Sequence, residues 1–109
     1  MTDRTNGHAP SDLGAAVELA VAGLEDVERQ ERGSLVEFSR TGKVFAAIEG
    51  SVASYRLSPA VARAALATPD TRASPRGADW VTFAPAAMDR FALDRAVAWL
   101  ESAWRNAAR

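Results

Sequence analysis

Five cations are the residues best spaced to do chemistry, and that chemistry is anion binding. Arg40 and Lys43 flank Thr41-Gly42, a dipeptide that reads as a hairpin tip from which both charges project into solvent. Arg56 ends the next strand-like stretch. Arg72 and Arg76 lie in a Pro-containing loop that must enter the same sheet at Trp80. If that loop and the hairpin tip share one end of the sheet, the five form a basic rim able to meet phosphates. The plainer reading of the same residues is that they are solubilising charges on turns and loops.

Catalysis has less to draw on. Cysteine is absent and the one histidine, His8, falls in a polar start, so the usual nucleophile and base pairs cannot be assembled. Glu18, Glu25, Asp26, Glu28 and Glu31 crowd one segment and read as the solvated face of a helix. Hard-cation sites instead converge oxygens from different elements. Gly42, Gly50 and Gly77 are isolated, so no phosphate loop is present. The expectation is a protein that is not an enzyme, with no catalytic residues, no metal and no cofactor.

Aromatic side chains offer a third chemistry. Trp80, Trp99, Trp104, Phe38, Phe83 and Phe91 fall at strand or helix period and read as core. Phe45 and Tyr55 are assigned to the strand faces opposite the main apolar set. If that face is open, they make a stacking surface beside Lys43 and Arg56 for a small ligand or a partner protein.

The bulk properties limit the partners. The chain has 109 residues, 48% of them hydrophobic and 25% charged, the mix of one globular domain. Net charge is −1, so the whole-molecule field does not draw in nucleic acid or anionic membrane. The distribution is uneven: residues 1–55 carry five basic and nine acidic side chains, and residues 56–109 eight basic and five acidic. No apolar run approaches the ~20 residues that span a bilayer. The start lacks a signal-peptide core, and cysteine is missing. These features lead us to expect a cytoplasmic protein with no membrane partner, monomeric by default, and nucleic acid as its candidate partner.

The elements that must position these residues follow from periodicity. Residues 1–10 read as a disordered tail and residues 11–109 as a single domain. Leu13, Val17, Ala20, Val21, Leu24 and Val27 recur at helical spacing. Ser11 or Asp12 can cap their start. Glu25 with Arg29 and Glu28 with Arg32 stand four apart, and Gly33 supplies a stop. A helix over Asp12–Arg32 is predicted. Three short strands follow, 35–39, 43–49 and 52–57, joined by turns so tight that they must be antiparallel. Ser58-Pro59 starts a short helix that Thr68-Pro69 stops. Residues 70–79 read as a loop, Trp80–Ala84 as a strand, and the stripe Leu93, Val97, Leu100, Trp104 and Ala107 as a last amphipathic helix. The order α-β-β-β-α-β-α predicts an α+β two-layer sandwich: an antiparallel sheet of about four strands with helices on one face.

Within this frame Gly42-Lys43-Val44-Phe45-Ala46, the strand ending Arg56-Leu57-Ser58-Pro59, the short helix, Trp80-Val81-x-Phe83 and the last helix resemble the MmcQ/YjbR-like family over about residues 33–108. The resemblance implies that family's α+β fold, described as a double-wing DNA-binding motif and related to the frataxin-like fold. It implies no established activity. Arg56 stands where the family commonly has lysine, which keeps the charge. Ser74-Pro75-Arg76-Gly77-Ala78-Asp79 replaces a stretch that often carries His, Asn and Lys, and Ala103-Trp104 replaces a common Ser-Tyr pair. Only Lys43, Arg56 and Trp80 carry over, Trp80 as a structural residue. The sequence therefore points to a binding module for DNA or another anionic partner, with the face around Phe45 and Tyr55 as the alternative surface.

Overall fold

A computed structural model describes residues 12–109. The predicted tail and His8 lie outside the described residues. The described residues form an α+β fold, with three helices and one six-stranded sheet in the order β1-β2-β3-β4-β6-β5, every neighbouring pair antiparallel. The elements are α1 (Leu13–Val21), β1 (Val27–Arg32), β2 (Leu35–Arg40), β3 (Lys43–Glu49), β4 (Val52–Arg56), α2 (Pro59–Leu66), β5 (Thr71–Ala73), β6 (Trp80–Phe83) and α3 (Arg90–Ala107). No described helix is long and apolar enough to cross a membrane.

The predicted helix over Asp12–Arg32 is corrected. Asp12 caps it as expected, its carboxylate accepting from the Ala15 N–H at 2.7 Å, but the helix ends at Val21. Asp26 adopts a positive φ of 60°, which no helix interior accommodates, and Val27–Arg32 then forms an edge strand paired with β2. Gly33, at φ 61°, turns this hairpin instead of ending a helix. The charges of β1 belong to the sheet edge, where charged side chains block pairing with another chain. Arg29 does not pair with Glu25. It grips Glu18 of α1 at 2.7 Å and Glu31 at 3.1 Å, and Arg32 pairs with Glu37 of β2.

The sheet exceeds the predicted four strands by β1 and β5. β5 has three residues and pairs with β6 at the other edge, too short a run for any period to show. Register fixes the faces. Ala46, Tyr55, Val81 and Ala73 form one row across four strands, and Ile48, Ala53, Phe83 and Thr71 the next. This face carries the helices. Trp99 of α3 meets Tyr55 and Phe83 edge to face, at 6.2 and 5.0 Å, and Thr71 donates to the Ala65 carbonyl of α2 at 2.8 Å.

α3 meets the core through Ala92, Ala96, Leu100, Ala103 and Ala107, a mostly alanine face that allows close approach to a sheet bearing Phe38, Tyr55 and Phe83. Phe91, predicted as core, is 71% exposed.

The expected open aromatic surface is also corrected: Phe45 is 1% exposed and Tyr55 0%. Tyr55 shares the helix-covered face because it registers with Ala46 and Val81. At Phe45 the simple alternation fails. Phe38 pairs with Ala46 while Ser39 pairs with Val44, so Phe45 is the extra residue of a β-bulge.

The β2–β3 turn carries local strain. Thr41 and Gly42 both have positive φ, 49° and 83°, as a two-residue hairpin loop requires for its twist, but a β-branched residue tolerates that region poorly. Replacing Thr41 by Asn should raise unfolding free energy by about 1 kcal/mol, read as a higher midpoint in denaturant titration. An unchanged or lower midpoint would count against strain at this turn.

Candidate functional site

Antiparallel pairing brings the β2–β3 turn, the start of β3, the end of β4 and the start of β6 to one end of the sheet. Arg56 registers with Trp80, and the Leu57 N–H donates to the Asp79 carbonyl at 2.9 Å. The 74–79 loop and the hairpin tip therefore share an end, as the basic-rim reading requires. The C-terminal part of α3 docks on the same end. Lys43 Nζ donates to the Arg109 carbonyl at 2.9 Å, and Asn106 Nδ2 to the Arg56 carbonyl at 3.4 Å.

Two hollows open here. One of about 300 Å3 is lined by Lys43, Arg56, Ser58, Asp79, Asn106 and Arg109, among others. The second, about 280 Å3, lies between Arg56, Arg76, Asp79 and Trp80, so Arg56 and Asp79 border both. Among the described residues no Asp or Glu side chain pairs with Lys43, Arg56 or Arg109. Ser58 caps α2 with extended backbone but makes no side-chain capping bond, and Pro59 follows at the first helical position. The hydroxyl and the positive end of the helix both remain available to an anion.

The five sequence-predicted cations separate on inspection. Lys43 and Arg56 border the hollows without an acidic partner. Arg76 borders the second hollow but is tied down: it donates to Glu37 Oε2 at 2.7 Å and lies 5.0 Å from the Trp80 ring centre. That bond, helped by Arg32, holds the Glu37 carboxyl below its ordinary range, because charge-assisted bonds to the ionised form favour it. Arg40 does not project into solvent. Its guanidinium lies 3.8 Å from the Trp104 ring centre and donates to the Trp104 carbonyl at 3.0 Å, neutralising the negative end of α3. Arg72 is exposed on β5 and lines a separate hollow on the sheet face opposite the helices.

Sequence reasoning missed Asp79, Asn106 and Arg109 as site residues. Ser58 was legible as a helix start and not as a site residue. No local signal marks Arg109, which arrives through the docking of α3. A further hollow, of about 460 Å3, is an apolar groove between α1 and α3 lined by Ala16, Leu19, Leu93 and Val97, and no cation borders it. Among the described residues there is no group of three or more His, Cys, Asp or Glu side chains placed to hold a metal. No family model, curated protein or solved structure matches this chain.

Proposed function

We propose that this chain is a non-enzymatic binding module that takes an anionic partner, DNA first among them, at the end of its sheet. The observation that carries the reading is the convergence of Lys43, Arg56 and Arg109 on one hollow with no Asp or Glu side chain paired to any of them among the described residues, Lys43 being held by the Arg109 main-chain oxygen alone. Unpaired cations held close together cost free energy by mutual repulsion, and a phosphate group relieves it. The resemblance to the MmcQ/YjbR-like family supports DNA over other polyanions, and we place the chain beside that family on the strength of Lys43, Arg56 and Trp80. Net charge of −1 makes the attraction local, so association depends on these side chains and not on a field spread over the molecule.

Titrating isotope-labelled protein with a short DNA duplex at low salt tests the proposal. Amide signals of Lys43, Arg56, Ser58 and Arg109 should move together, and the shifts should vanish by ~0.2 M salt as counterion release is lost. Silence of these amides at high DNA concentration would rule DNA out as the partner of this surface.

A further inference from the structure

We infer that the sheet face opposite the helices holds a second binding site, for a small molecule bearing a single carboxylate. On that face Ala47, Ser54, Thr82 and Arg72 form one register row across β3, β4, β6 and β5, with neighbouring strands ~4.8 Å apart. The 74–79 loop arches over the row, fastened across the sheet by Arg76 to Glu37 of β2. Between loop and sheet lies a crevice of about 340 Å3 bounded by Ser54, Thr82, Arg72, Pro75, Val52 and Glu49, within the size range of small-ligand pockets.

Its floor is polar, with two hydroxyls joined by one long hydrogen bond. Thr82 is 3% exposed, and its hydroxyl meets the Ser54 hydroxyl at 3.4 Å, beyond the usual O–H···O range. Each hydroxyl offers one donor and two acceptor sites, so the one bond they share leaves both with capacity to spare in residues that line the crevice. A ligand oxygen above the row fills it.

The wall determines which oxygen. Arg72 makes no ion pair among the described residues, and its planar fork matches a carboxylate through two parallel bonds. Arg76 is already committed to Glu37, so one guanidinium is available and one negative charge is balanced. Glu49 on the same rim opposes a second negative charge, which selects against phosphate dianions. Val52 gives an aliphatic flank for a short alkyl chain. The site is separate from the sheet-end hollows: it shares neither Lys43 nor Arg56, and only the tethered Arg76 borders both regions.

Butanoate is the probe, with inorganic phosphate run in parallel on the same labelled protein. Saturable butanoate shifts are expected at Ser54, Arg72, Ser74 and Thr82, with Lys43 and Arg56 unmoved. Arg72→Gln, an exposed change, should weaken butanoate at least tenfold. Thr82→Val, which keeps the shape and removes the hydroxyl, should weaken it severalfold. Phosphate shifting these four amides as strongly as butanoate would overturn the inference. So would butanoate shifts confined to the sheet end, no saturable shift at all, or an Arg72→Gln protein that binds butanoate as the parent does.

Discussion

Raising the pH of the native protein should leave Tyr55 un-ionised well past the point where a free tyrosine loses its proton. It is the only tyrosine in the chain, so phenolate absorbance reads this one group. Its ring is fully buried against Trp99, and its hydroxyl has no hydrogen-bond partner among the described residues. Burial pushes the hydroxyl well above its ordinary range, because a phenolate in that setting loses hydration and gains nothing in return. The folded state therefore holds this proton more tightly than the unfolded chain. Stability contributed by the neutral hydroxyl is fully present below pH ~10, and beyond it declines by about 1.4 kcal/mol per pH unit as the unfolded state ionises. Phenylalanine at this position should abolish that portion of the alkaline decline. It should also raise stability at neutral pH by about 1 kcal/mol or more, since an unsatisfied buried hydroxyl costs ~1–3 kcal/mol. Phenolate signal rising near pH 10 while the fold persists would refute the burial argument. A Tyr55→Phe protein that is less stable than its parent at neutral pH would show that the hydroxyl has a partner after all.

The same residue shows where sequence reading stops. Helix starts were legible where one side chain does the job locally: the Asp12 carboxylate caps α1, and the Pro59 ring opens α2. The three central strands and their tight turns were legible because positive-φ glycines and alternation act over a few residues. β1 was not legible. Val27-Glu28-Arg29-Gln30-Glu31-Arg32 has the composition of a charged helix, and only its backbone pairing to β2 and the grip of Arg29 on Glu18 make it a strand. Tertiary context there outweighs propensities worth a few tenths of a kcal/mol per residue. Tyr55 and Phe45 were misassigned for a related reason. A face is defined by register, and one bulge at Phe45 changes the count. Of the candidate site, the shared end of hairpin and loop followed from antiparallel order alone. That Arg40 belongs to Trp104 and Arg76 to Glu37 did not, since both partners lie far away in sequence, 64 and 39 residues off.

Those two tethered arginines sharpen the largest functional prediction, which concerns Lys43 and Arg56, the two predicted cations at the sheet end with no Asp or Glu side-chain partner among the described residues. Converting both Lys43 and Arg56 to glutamate should cut duplex DNA affinity by ~100-fold at low salt, about 1.4 kcal/mol or tenfold for each contact removed. Three phosphate contacts, from Lys43, Arg56 and Arg109, give a slope of log affinity against log salt of roughly −2.7, and losing two should bring it to about −0.9. Both residues are exposed, so the fold should tolerate the change within ~0.5 kcal/mol, and a thermal melt checks that directly. Arg40→Gln provides the contrast. It strips a cation of the same hairpin but one spent on Trp104, so stability should fall while the salt slope stays near the parent value. If instead the double variant keeps both affinity and slope, the phosphates are met elsewhere. If Arg40→Gln lowers the slope by about one unit, Arg40 leaves Trp104 to meet DNA, and the hairpin tip as a whole, not the hollow beside it, is the contact surface.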